Sequence, residues 1–196
     1  MEVSIVGAIA WFIVAGTATG LLLYAVTIYN NLVRLKYTVA RAWSNIDVLL
    51  KQRHTELPKL VDTCKQAGRF EQQTLEKIMQ ARAAAHVARQ AGDVRGVGEA
   101  ENQLRAGLGS LFAVAEAYPE LKANESFRDL QRRISELEES IADRREFYND
   151  AASNNNIRVE QFPDTVIARS FDFAVADLLE FEQTEKADVT IDLGFE

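Results

Sequence analysis

The chain has 196 residues, 47% of them hydrophobic and 26% charged, a balance that excludes both a wholly disordered polymer and a multi-span membrane protein. Its 3 Pro and 10 Gly exclude collagen-like or linker-dominated architecture, and a single cysteine, Cys64, excludes an internal disulfide framework. A formal net charge of -7 argues against a basic nucleic-acid surface, and two His with one Cys leave too little for a zinc site, so no nucleic-acid partner, metal or cofactor is expected.

The first element is an uncharged run. No charged side chain lies between Glu2 and Arg34, and residues 3–29 read VSIVGAIAWFIVAGTATGLLLYAVTIY. At about 1.5 Å per residue that run crosses a hydrocarbon core of about 30 Å. A cleaved signal sequence would start basic and have an apolar core of roughly 7–15 residues. Here the charge ahead of the run is acidic and the run is longer, so it reads as an anchor. Arg34, Lys36 and Arg41 follow the span and no Lys or Arg precedes it. The positive-inside rule therefore puts the N-terminus outside and the remaining chain in the cytoplasm, a single pass through the inner membrane. A lone thiol suits that reducing side. Trp11, Tyr24 and Tyr29 lie toward the two ends of the span. Gly16 and Gly20 form a GxxxG spacing along which two backbones can approach, a candidate site of transmembrane association.

The pattern then changes to a helical stripe: Leu32, Leu35, Val39, Ala42 or Trp43, Ile46, Leu50, Leu57, Leu60 and Cys64. With no Gly or Pro between Ala25 and Leu57, the membrane helix is expected to continue into the cytoplasm. Pro58 is expected to kink or interrupt it and Gly68 to stop it. A second helix over about 70–90 turns Leu75, Ile78, Met79, Arg82 and Ala85 to one side. AGDVRGVGEA reads as a turn, and not a phosphate loop, because no strand precedes it and no Gly-Lys-Ser/Thr follows. A third helix starts near Glu99, faces Leu104, Leu108, Leu111 and Ala115 inward, and ends around Tyr118-Pro119. The fourth carries Phe127, Leu130, Ile134, Leu137, Ile141, Tyr148 and Ala151, with Asn124 or Ser126 as its cap. These elements predict an all-α fold, an N-terminal transmembrane helix continuous with a long antiparallel four-helix bundle. The divisions expected are an anchor over 1–33, a cytoplasmic bundle over 34–161, an amphipathic membrane-proximal segment over 162–182 and an acidic tail over 183–196.

Two further segments are candidates for recognition. Val166, Ile167, Phe171, Phe173, Leu178, Leu179 and Phe181 are a large apolar load after the fourth helix. Membrane-surface helices usually carry Lys or Arg, whereas this segment carries Asp172, Asp177, Glu180 and Glu182. After packing on the chain's own bundle, a neighbouring subunit is therefore expected ahead of lipid. Beyond Ser170, eight acids stand against Lys186 alone, which is the whole net charge of the chain. That tail reads as solubilising, or as a docking segment for a basic partner whose sheet edge ADVTIDLGF could extend. Glu116, Tyr118, Pro119, Asn124 and Glu125 lie at the loop expected farthest from the bilayer, where hydrogen bonds that fix the turn are the simplest role and recognition the second.

Catalytic constellations are missing. No HExxH and no GxSxG occur, His54 and His86 fall on different predicted helices, and Glu138-Glu139 face different ways on one helix. His54 beside Glu56 reads as a solvated histidine, and Asp47 and Arg53 as polar links within a helical core.

Three stretches carry a resemblance: YNNLVRLKYTVARAWSNIDVLLKQRHTELPKLVDTCK, AENQLRAGLGSLFAVAEAYPELKANESFRDLQ and RREFYNDAASNNNIRVEQFPDTVIA. Over about residues 29–170 the chain resembles the LemA family. The resemblance implies a single N-terminal anchor, a cytoplasmic antiparallel helical bundle and no assigned enzymatic activity. It also implies a possible partnership with HtpX-type membrane proteases, beside which some members are encoded. The expected function is a non-catalytic scaffold that self-associates in the bilayer and organises proteins or membrane shape from the cytoplasmic side. The alternative is an adaptor or regulator of a membrane protease, docking through the distal loop or the acidic tail.

Overall fold

The computed structural model describes residues 2–66 and 72–180, with the side chains of residues 2–6 and 8 left aside. It contains α1 (Glu2–Gln66), α2 (Gln72–Ala91), α3 (Val94–Ala115), α4 (Pro119–Ala123), α5 (Glu125–Glu160) and α6 (Asp164–Ser170). Among the described residues there is no strand, and the fold is all-α with a long apolar helix at the N-terminus. Gly68, Phe181 and the ADVTIDLGF stretch lie outside the described residues.

α1 changes from an exposed apolar surface to a buried stripe along its length. Trp11, Phe12, Ile13, Leu21 and Leu22 are exposed, and none of the most apolar stretch is buried, which a core helix of a soluble domain would not tolerate. The hydroxyls of Thr17, Thr19 and Thr27 donate to carbonyls of their own helix, those of Ile13, Ala15 and Leu23, at 2.8–3.0 Å, leaving none of the three to seek water. Further along, Leu32, Ile46, Leu50, Leu57, Leu60 and Cys64 are buried, the stripe expected from the sequence.

Pro58 lies inside α1, so the interruption considered for it does not occur. A proline lacks the N–H that would bond the carbonyl four residues earlier, here that of His54. Arg82 of α2 supplies the missing donor, its Nε lying 2.9 Å from the His54 oxygen.

The chain divides into two compact units, one of Met1–Leu50 with Glu138–Leu178 and one of Lys51–Leu137 with Leu179–Glu196. In the second, Leu57, Leu60, Leu75, Ile78, Leu104, Leu108, Leu111, Leu121, Phe127 and Ile134 are buried in one core drawn from α1 through α5. α2 and α3 form a tight hairpin. Gly92 takes φ +70°, its N–H donates to the Arg89 carbonyl, and the Asp93 N–H donates to that of Ala88, which closes α2 in a Schellman turn. Asp93 then caps α3, its carboxylate accepting from the Gly96 N–H at 2.9 Å.

The turn expected over AGDVRGVGEA is thus only Gly92 and Asp93, and α3 begins at Val94 instead of near Glu99. Gly96 and Gly98 are helical. Gly98 is buried, and a Cβ there would meet the Glu180 carbonyl at 2.6 Å, so its lack of a side chain seats a passing chain and not a turn. α3 also ends early, at Ala115, and a short α4 opens with Pro119 at its first turn. Asn124 caps α5, its Oδ1 accepting from the Phe127 N–H at 3.1 Å.

In the first unit, Ile46 and Leu50 of α1 and Ile141, Tyr148, Ala151 and Ala152 of α5 are buried, and the Trp43 and Tyr148 rings lie 5.5 Å apart. Ile28, Leu32 and Ala168 form a smaller core there, with Val159, Ile167 and Phe173 packed against it.

Replacing Gly98 by Ala should push the Leu179–Glu180 backbone off α3 and raise amide hydrogen exchange at those two residues. Ala at Gly109, in the same helix but with open space around it, should leave that exchange unchanged.

Candidate functional site

In the second unit, α1, α2 and α3 converge on a polar cluster inside an apolar core. Arg53 of α1 and Glu101 of α3 are both buried and form an ion pair. One residue on, His54 stacks on His86 of α2 with ring centroids 4.9 Å apart and planes 28° from parallel. Arg82, His86 and Arg89 share one face of α2 at steps of four and three. His54 is pushed down to about 4, first by burial and then by the positive charge of Arg82, His86 and Arg89. The imidazole is therefore neutral near pH 7 and acts as a flat packing surface. Its expected neighbour Glu56 instead pairs with Lys59 at 3.1 Å. Burial pushes the Cys64 thiol up to about 11, the behaviour of an apolar core residue and not of a nucleophile. No group of three or more His, Cys, Asp or Glu suited to a metal ion occurs among the described residues.

The first unit holds a different arrangement, where the apolar run of α1 ends. α6 lies against Ile28 and Leu32, and Asp164, buried at its start, is paired with Arg158 at 2.8 Å. After α6 the Phe173 N–H donates back to the Ala168 carbonyl at 2.9 Å while Asp172 takes φ 56°, a left-handed conformation that Asp tolerates better than most residues. That turn brings Phe171 and Phe173 edge-on to Tyr29, at 4.9 and 5.7 Å. The following extended chain is held by side-chain amides of α5. Asn156 grips Ala176 twice, Nδ2 donating to its carbonyl at 2.8 Å and Oδ1 accepting from its N–H at 2.7 Å. Asn155 donates to the Ala174 carbonyl at 3.2 Å, and the Tyr148 hydroxyl to that of Asp177 at 2.7 Å. Burial, and then the Asp177 charge, raises Tyr148 above the usual phenol range.

The sequence candidates separate accordingly. Gly16 and Gly20 are open to solvent on the α1 surface, with nothing within 4 Å of where a Cβ would stand. Arg34, Lys36 and Arg41 are exposed. Of the expected apolar contacts, Val166, Phe171 and Leu178 are exposed, Ile167 and Phe173 pack on the Ile28–Leu32 core, and Leu179 is buried. Glu116, Pro119 and Glu125 are exposed, while Tyr118 packs against the core of the second unit. Glu101, Asn155 and Asn156 were not among the sequence candidates. Glu101 does carry a signal, since it stands in line with Val97, Leu104 and Leu108 on the inward stripe of α3.

The LemA family model matches residues 42–193. A protein named LemA from Metamycoplasma hominis is 28% identical over 160 residues, 82% of this chain and 72% of that one. Two proteins of Paramagnetospirillum magneticum named magnetosome protein MamQ are each 39% identical over 61 residues. That match takes in 31% of this chain and spans only 22% of the length of each of those two relatives.

Breaking the buried ion pair from one side, by Arg53→Met or Glu101→Gln, should lower stability by about 3–5 kcal/mol, because an uncompensated charge stays buried. The double variant Arg53→Met with Glu101→Leu should be more stable than either single one in thermal unfolding of the detergent-solubilised chain. His54 gives a pH dependence of known sign. Its folded pKa of about 4 lies below the unfolded 6.5, so unfolding takes up a proton between those values and stability falls as pH falls through that window. His54→Gln should flatten the slope of melting temperature against pH there and leave it unchanged above.

Proposed function

The chain belongs to the LemA family, and on that premise we propose that it is a non-catalytic, membrane-anchored helical scaffold. It crosses the inner membrane once with its N-terminus outside, self-associates in the bilayer, and organises proteins or membrane shape from the cytoplasmic side. The observation that carries this reading is the continuity of α1, which passes without a break from exposed, uncharged, apolar surface to the buried stripe of the helical core. A helix of that kind ties any movement or clustering of the membrane segment to the domain behind it. The open surface at Gly16 and Gly20 supports close helix–helix approach within the bilayer, where small residues and not apolar area drive association. Arg34, Lys36 and Arg41, all on one side of the span, support the orientation.

The test is the mass of the full-length chain in mild detergent and in nanodiscs, beside that of Gly16→Leu/Gly20→Leu. The scaffold reading expects an oligomer that the double variant weakens while helical content stays the same. A chain that is monomeric in both media, and that co-purifies stoichiometrically with one membrane protease, would favour the adaptor reading instead.

A further inference from the structure

We infer that α6 and its flanks enter the headgroup–acyl boundary of the bilayer, with Phe162, Val166 and Phe171 as the inserted side chains. The inference rests on the proposed span and adds to it a second, non-spanning contact with the same membrane.

Depth is set by the uncharged run. It extends from Val3 to Val33, and about 20 helical residues cover the hydrocarbon, so its last turns lie at the interface. Ile28 and Leu32 are in those turns, and α6 is packed directly on them through Ala168 and Ile167. Whatever depth Ile28 and Leu32 occupy, α6 shares. Tyr29, a residue type that favours this level, already has the edges of Phe171 and Phe173 against its ring. On the outside of this assembly Phe162 is 82% exposed, Phe171 59% and Val166 54%. Three large apolar side chains facing water at that height are unfavourable, and facing the boundary of the bilayer they are favourable, because their apolar surface is withdrawn from water.

Of the acidic residues weighed against lipid in the sequence, Asp172 stays beside α6 and Asp177 does not, while Glu182 lies outside the described residues. Asp164 is buried and paired with Arg158. Asp177 is carried along α5 to Tyr148, eleven residues before Val159 and so about 16 Å farther along the helix axis. At the level of α6 the exposed charges are Arg34, Lys36 and Arg169 against Glu160 and Asp172, a balance that an anionic leaflet does not repel.

The test uses the full-length chain with Cys64→Ala, reconstituted in nanodiscs of mixed zwitterionic and anionic phospholipid. Single cysteines at Phe162→Cys, Val166→Cys and Phe171→Cys carry an environment-sensitive fluorophore, with Leu22→Cys and the exposed Val114→Cys as references. Lipids bearing a nitroxide near the headgroup or at mid-chain serve as quenchers. The three collar positions should be quenched more by the shallow nitroxide than by the deep one, Leu22 more by the deep one, and Val114 by neither. Quenching at Leu22 with none at the collar would overturn the inference and leave the anchor standing. No quenching at Leu22 would remove the anchor itself, and this inference with it. Collar emission that turns apolar only when two copies share a disc would assign these side chains to a subunit contact and overturn the lipid contact.

Discussion

A single hydrogen bond lets the longest helix stay whole. Pro58 withdraws the donor that the His54 carbonyl would otherwise have, and a bare carbonyl on the half-buried side of a helix is a place for that helix to end. The Arg82 guanidinium occupies that position at 2.9 Å. Because Arg82 sits one turn from His86, the same placement aligns the two imidazoles, and because Arg53 precedes His54, it lies beside the buried pair with Glu101. A defect in the backbone, a stacked pair and a buried ion pair thus form one polar layer. Apolar stripes slide against one another at little cost, whereas a layer of this kind has one register, which is the best-attested use of buried charge.

Much of this was legible from spacing. The buried residues of α5, from Phe127 to Ala151, are those that steps of three and four select, and the change from all-round apolarity to a stripe near Leu32 is the change from exposed to buried surface along α1. The errors have a common cause. Gly92, Gly96 and Gly98 look alike in the sequence, but only Gly92 has a positive φ. Gly98 is there because the chain at Glu180 passes over it, a contact eighty residues away that no local pattern contains. Missing the start of α3 at Val94 then hid Glu101, because a helix begun near Glu99 has no inward stripe before Leu104. His54 and His86 were legible as residues and not as a pair, since two helices facing each other through Arg82 leave no trace in spacing.

The segment after α5 shows how misleading composition can be when taken as a block. Counted together, the residues after Ser170 are the most acidic in the chain, and acid argues against lipid. Folded, the acids go different ways: Asp172 stays in the turn after α6 and Asp177 is drawn along α5, while Phe171 and Phe173 stay beside Tyr29. A helix of seven residues has too little length to show amphipathicity as a period. What orients α6 is its packing on Ile28 and Leu32 and the left-handed turn at Asp172, and both are properties of the tertiary structure.

The means of attachment also changes along this segment, in a way that the proposed contact with a bilayer explains. Next to a bilayer, apolar contact is a poor fastening, since lipid tails offer a phenylalanine nearly what a protein core offers. Hydrogen bonds to backbone keep their direction in either setting and cannot be satisfied by acyl chains. The extended chain after Phe173 is held that way, by two amides and a phenol that each find a particular backbone group. Asn156 meets both the N–H and the carbonyl of Ala176, as a neighbouring strand would, so one side chain fixes the register that a sheet would otherwise have to supply. Phe162, Val166 and Phe171 are thereby left free to meet an apolar medium without being the parts that hold the chain in place.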